Sequence, residues 1–200
     1  VTPMIIRLLP IFLFLLNACS SVPAPETSSD ERLLVTVTNE WEQVFQMNSG
    51  STRLTDFVLK GETADNWTTK LAFESYRIQD IVGDPIDLLL SEAKTDESRC
   101  SFVQHFNISS GYENRYETSV RLFLCGENAF STSGEVKLVK AIRGNDYLYS
   151  IRLIRRVEPF DLGQQNFTDQ QMAIWSAYLG RITLCDESTE HPCPEPTNKN

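Results

Sequence analysis

EVKLVKAIRGNDYLYSIRLIRRV, residues 135–157, is the stretch from which an architecture follows. Two runs rich in Val, Leu, Ile and Tyr, Glu135 to Ile142 and Tyr147 to Val157, flank Arg143-Gly144-Asn145-Asp146. Gly144-Asn145 suits a two-residue hairpin turn, because glycine and asparagine tolerate the positive φ angles that match strand twist. That turn sets Ile142 opposite Tyr147 and Leu138 opposite Ile151, so one face of the hairpin is apolar along its length. Polar residues fill much of the other face. The basic residues Arg152, Arg155 and Arg156 read as a solvated strand end.

A second hairpin lies upstream. Cys100 to Ile108 and Tyr116 to Cys125 are strand-like runs on either side of Ser109-Ser110-Gly111-Tyr112-Glu113-Asn114. Placing Cys100 opposite Cys125 brings Phe102 opposite Phe123 and Val103 opposite Leu122, and a disulfide there contributes about 3–4 kcal/mol through loop closure. Cys185 and Cys193 then close a shorter loop, worth about 2–3 kcal/mol. The rival reading of Cys185, His191 and Cys193 is a metal site, but a fourth ligand and the usual structural-zinc spacing are missing. Neither pair has the C-x-x-C form of a redox dithiol.

The remaining elements surround these hairpins. Leu34 to Thr38 and Trp41 to Met47 read as strands, and after the turn at Asn48-Ser49-Gly50-Ser51, Arg53 to Leu59 forms a hairpin partner. A short helix is expected next, with Thr63 as N-cap, Asp65 in its first turn, and Trp67 and Leu71 on one face. Phe73 to Ile78 extends that helix or starts a strand. A second helix opens with Asp84 as N-cap and Pro85 at its first position, and carries Ile86, Leu89, Leu90 and Ala93 on one side. A third begins near Thr168, which forms a capping box with Gln171, and Met172, Trp175, Leu179 and Ile182 recur at helical spacing. The fold class is therefore α+β: an antiparallel sheet packed with helices, an α/β/α sandwich.

Location is written in the first 32 residues. After Arg7, the run Leu8 to Leu16 is too short to span a bilayer as a helix but fits a signal-peptide core. Leu16-Asn17-Ala18-Cys19 resembles the lipobox of bacterial lipoproteins. The resemblance implies that residues 1–18 are a signal peptide, that Cys19 is lipidated, and that the chain is anchored in a membrane. Ser20 after the cysteine implies the outer membrane, with the chain facing the periplasm. Residues 19–32 are the lipidated cysteine and a tether of Ser, Pro, Glu and Asp that cannot bury enough surface to order itself. Residues 33–193 form one domain and 194–200 a polar tail.

Removal of the leader leaves 17 basic against 27 acidic side chains, a net charge of −10. Nucleic acid is excluded as the main partner. Lys60-Gly61-Glu62-Thr63-Ala64-Asp65-Asn66-Trp67-Thr68 resembles a motif of uncharacterised exported proteobacterial proteins, and the layout is similar to the PsbP/Mog1-like sandwich. That resemblance implies an accessory or binding role and assigns no functional residue.

Catalytic motifs are absent: no G-x-S-x-G, no P-loop, no H-E-x-x-H, and two histidines only. Acid pairs such as Asp84 with Asp87, or Glu62 with Asp65, read as helix-start charges before they read as general acids and bases. The expectation is a membrane-anchored envelope lipoprotein, without cofactor, that binds an envelope protein partner. Trp67, Tyr147 and Tyr149 are its candidate binding surface. A small-ligand carrier with a closed apolar cavity, and a hydrolase acting on cell wall or carbohydrate through two carboxylates, are the alternatives.

Overall fold

The computed structural model describes residues 30–81, 83–164, 167–187 and 190–194, so Cys19 and the leader lie outside the described residues. Among the described residues nine strands and two α-helices run in the order β1 (Arg32–Leu34), β2 (Trp41–Ser49), β3 (Thr52–Leu59), β4 (Thr69–Arg77), α1 (Pro85–Glu97), β5 (Val103–Glu113), β6 (Tyr116–Asn128), β7 (Ser133–Arg143), β8 (Tyr147–Val157), α2 (Asp169–Gly180) and β9 (Thr183–Cys185), with a single 3-10 turn at Ile78–Asp80 between β4 and α1. Seven of the strands form one antiparallel sheet in the order β2-β3-β4-β8-β7-β6-β5, and β1 pairs with β9 alone.

Strand alternation divides the side chains of the sheet into two layers. Cross-strand partners Phe57, Leu71, Leu153, Leu138, Leu122 and Phe106 form a continuous apolar row on one face. Over this face α2 packs Met172, Trp175 and Leu179. The opposite face carries Phe123, Val139 and Ala141, against which α1 sets Leu89 and Ala93. The architecture is thus dominated by the sheet, with one helix on each face and large parts of both faces without helical cover.

Helix-start signals are realised as expected at α1 and α2. Asp84 accepts the Asp87 N–H at 2.9 Å while Asp87 accepts the Asp84 N–H in return. Thr168 and Gln171 make the same reciprocal pair. In α1, Leu89 and Ala93 are buried, but Ile86 and Leu90 remain 38% exposed on its flank. Asp84→Ala is expected to cost about 1 kcal/mol in urea unfolding, the usual worth of such a cap.

The helix expected from Thr63 does not form. Thr63 still accepts an N–H, that of Asn66 at 3.1 Å, and Glu62 accepts the Thr68 N–H and hydroxyl at 3.0 and 2.5 Å. These bonds close the KGETADNWT segment into a loop, and the chain from Thr69 becomes central strand β4 between β3 and β8. Long-range pairing on both edges outweighs the helix signal, which had one cap and two apolar residues behind it.

Both hairpin registers differ from expectation. In β5–β6 the chain reverses at Asn114-Arg115, with φ of 47° and 64°, and His105, not Phe102, faces Phe123. The two-residue turn and a bulge between Asn107 and Ser109 set this register, and Cys100 reaches Cys125 from beyond the strand end. In β7–β8 the turn is centred on Asn145-Asp146, so Leu138 faces Leu153 and Ile142 faces Tyr149. Glu31 accepts the N–H groups of Asn145 and Asp146 at 2.5 and 3.4 Å, and a Cβ at Gly144 would collide with that carboxylate. The slip of two residues in β7–β8 preserves which face each side chain takes, so the apolar layer survives the change.

Candidate functional site

Two lysines interrupt the apolar run of β7. Lys137 and Lys140 are three residues apart, so alternation sends them to opposite faces, and each is 1% exposed. Lys140 reaches the end of α2, donating to the carbonyls of Leu179 at 3.0 Å and Ile182 at 2.8 Å and pairing with Glu113. It serves as the helix C-terminal cap that the sequence there lacks.

Lys137 enters a charged cluster under α1. Its Nζ donates to Glu92 at 2.7 Å and to Asp96 Oδ1 at 2.7 Å. Arg99 donates to Asp96 through Nη2 at 2.6 Å and Nε at 3.1 Å. Arg152, on the neighbouring strand, meets Glu92 at 3.2 Å and grips Glu74 with both Nη atoms, and Tyr76 donates to that same Glu74. Three carboxylates therefore balance three cations in one connected network.

The network has defined electrostatics. Burial acts to raise the Glu92 carboxyl, but Arg152, Lys137 and Arg99 together outweigh it and hold the group below the ordinary carboxylate value of 4.5. Burial, reinforced by the hydrogen bond to Glu74, pushes the Tyr76 phenol up to about 12. Arg152, read from sequence as part of a solvated strand end, instead has a side chain only 15% exposed and fixed between carboxylates.

Beside the network opens a cleft of about 340 Å³, lined by Lys70, Glu92, Arg99, Phe130, Arg152 and Arg156 among others. At its edge Trp67 is 6% exposed, packed with Val58 and Ile154, while the Arg156 guanidinium lies 3.9 Å and the Lys70 ammonium 4.8 Å from its ring centroid. Trp67 is thus a largely buried residue of the cleft wall that orients two cations by attraction to its ring face. Lys70 has Asp56 at 3.3 Å. Arg156 makes no ion pair among the described residues and donates only to the carbonyls of Asp65 and Trp67, at 3.3 and 3.4 Å.

Phe130 stands on the rim of this cleft and is 86% exposed. Its loop is rigidly built: Asn128 accepts the Phe130 N–H through Oδ1 and the N–H groups of Ser131 and Thr132 through its carbonyl, at 3.0, 3.1 and 2.8 Å. Thr132 there adopts φ of 51°, which costs a β-branched residue free energy.

The other candidate binding residues lie elsewhere. Tyr147 is paired with Arg77 at the far end of β4, about 26 Å along the strand from Thr69 beside Trp67. Arg53 covers the Tyr147 ring at 5.1 Å, and Tyr149 is half-buried against the α2-side core. The three aromatics named from sequence therefore do not converge. Glu74, Glu92, Asp96, Arg99, Lys137 and Phe130 were not singled out. Their one signal was Lys137 in an apolar strand, which demanded a buried acid that the sequence could not locate.

Cys100 is bonded to Cys125 and Cys185 to Cys193, so neither sulfur of the last pair is a free thiolate able to ligate a metal. Among the described residues no group of three or more His, Cys, Asp or Glu could hold a metal ion. A second trough, of about 420 Å³, runs between Leu122, Leu124, Phe160, Phe167 and Met172. It opens to solvent, unlike the closed cavity expected of a carrier. Among the described residues no helix is long and apolar enough to cross a membrane.

No family model matches the chain, and no curated protein matches it. Among solved structures it is similar to one titled LpqN, involved in cell envelope biogenesis of Mycobacterium tuberculosis. The TM-score is 0.36 and the identity 10%, over 82% of this chain and 85% of that one.

Proposed function

We propose that the chain is an envelope lipoprotein, acylated at Cys19, whose domain docks another envelope protein at the cleft rimmed by Phe130. The observation that carries the docking role is Phe130 itself. A hydrogen-bonded loop holds this aromatic ring 86% exposed beside the oriented cations of the cleft, where a partner surface would bury it. Two bonded cysteine pairs support an oxidising compartment, in keeping with the lipobox. Glu74, Glu92 and Asp96 are all engaged in ion pairs, and Glu92 is held below its ordinary value, whereas general acid catalysis needs a carboxyl raised towards neutrality, which favours a binding role.

Glu31 is bonded to the β7–β8 turn, at the opposite end of β8 from Arg156, so about 30 Å of strand separates the start of the described chain from the cleft. The partner proposed for the cleft is a periplasmic protein surface.

Cells expressing the full chain, Phe130→Ser, and Cys19→Ala are to be labelled with alkyne palmitate, fractionated and crosslinked. The expected result is a palmitate label and membrane recovery that Cys19→Ala loses, and one discrete crosslinked product that Phe130→Ser loses while its stability changes by less than about 0.5 kcal/mol. Equal crosslinking by Phe130→Ser would overturn the docking site. A full chain without label would overturn the anchor.

A further inference from the structure

Most of the cations in the wall of the Phe130 cleft are already spent. Lys137, Arg99 and Arg152 are bonded to Glu92, Asp96 and Glu74, and Lys70 has Asp56 at 3.3 Å. Among the described residues that line the cleft, Arg156 is the one cation without a carboxylate. Its Nη1 makes only the two long bonds to the carbonyls of Asp65 and Trp67, Nη2 makes none among the described residues, and Nε is buried without a partner. A guanidinium drawn partly out of water without a counter-ion attracts an anion more strongly than one in bulk solvent.

We infer that Arg156 is an anion site and that its ligand is a single carboxylate, an Asp or Glu side chain of the protein docked at Phe130; the inference rests on that docking reading. The walls select this chemistry. Glu92 and Glu135 also line the cleft, and Glu135 is the cross-strand partner of Arg156, although its carboxylate accepts from Asn128 Nδ2 at 3.1 Å instead. Two acids in the wall tolerate one incoming charge and repel a dianion such as phosphate. The whole chain, whose acidic side chains outnumber basic ones by nine, likewise turns away a densely acidic surface. Phe130 stands exposed on the rim and the Trp67 ring lies 3.9 Å from the Arg156 guanidinium, so the site sets apolar surface beside its charge. The residues flanking the carboxylate are therefore apolar or neutral.

The test uses the full mature chain in detergent and two probes, acetyl-Glu-fluorophenylalanine amide and its Gln counterpart, followed by fluorine NMR. Wild type is expected to bind the acidic probe at least about tenfold tighter than the neutral one, the usual gain from a charge-assisted hydrogen bond. Arg156→Gln should narrow that gap to less than about threefold, and Glu135→Gln, which keeps the acceptor for Asn128, should tighten the acidic probe alone by more than about threefold. Circular dichroism checks that both variants remain folded. Equal or absent binding of the two probes by wild type, a comparison that needs no variant, would overturn the inference. So would a gap that persists in Arg156→Gln, or inorganic phosphate that displaces the acidic probe more than about tenfold better than acetate does. In the cellular crosslinking assay, a discrete product lost in Phe130→Ser but kept in full by Arg156→Gln would leave the docking site standing and overturn the carboxylate site alone.

Discussion

Asp96→Ala is expected to destabilise the domain by about 3–5 kcal/mol, the usual result of removing one partner from a buried ion pair. Asp96 is wholly buried and accepts from Lys137, which is 1% exposed, and from Arg99. Without it, Lys137 retains Glu92 alone, and a cluster of three acids and three bases becomes one of two and three. For a domain of this size the loss corresponds to a melting temperature lower by about 6–20 °C. Replacing both members, with Asp96→Leu and Lys137→Met, should recover much of that loss, since the charges then leave together. A double variant as unstable as the single would show that the cluster does not act as ion pairs.

The same cluster gives acid sensitivity a definite sign. Glu92 is held below its ordinary value of 4.5 in the folded protein, so below that pH the unfolded chain binds the proton more readily. Its contribution is intact above about 4.5 and is lost as pH falls through the lower, folded value. Urea midpoints measured from about pH 6 to pH 3 should therefore fall, and the fall should shrink in Glu92→Gln.

Removing the Cys100–Cys125 bond by double alanine replacement is expected to cost about 3–4 kcal/mol, because 25 residues separate the cysteines and the freed unfolded chain gains loop entropy. The eight-residue separation of Cys185 and Cys193 predicts a smaller cost, about 2–3 kcal/mol. The difference between the two is itself testable by urea unfolding. A larger loss at Cys185–Cys193 would mean that native contacts of the tail, and not loop length, set the cost. Candidates for such contacts exist: the His191 ring stacks on Tyr116 at 4.0 Å, and Tyr116 donates to Asp186 at 2.9 Å.

Signals that act within a few residues are legible in the sequence alone. Asp84-Pro85 and Thr168-x-x-Gln171 start helices because their bonds close over three residues. The hairpins at 48–51 and 143–146 are visible as polar breaks between apolar runs, although the register of the second is not. In β7–β8 a distant acid, Glu31, binds the turn, and no local pattern announces it. In β5–β6 the reversal depends on Asn114 and Arg115 both taking positive φ, where arginine offers no hint. The segment at Thr63 shows the limit from the other side, since its capping bond forms and strand pairing still claims the residues from Thr69 onward.

Composition and short-range pattern were sufficient for an antiparallel sheet with helices and for the starts of α1 and α2, since each rests on neighbours in the chain or on a count, whereas the expected Cys100–Cys125 bond forms in a hairpin register that the pattern did not give. The charged cluster could arise only when α1 came down on β7 and β8, joining Glu92 and Asp96 to Lys137 and Arg152 across more than 40 residues. A buried charge specifies that a partner must exist, because unpaired it is too costly to desolvate, but not where in the chain that partner lies. Packing makes that choice, and with it the place of the cleft and of Phe130.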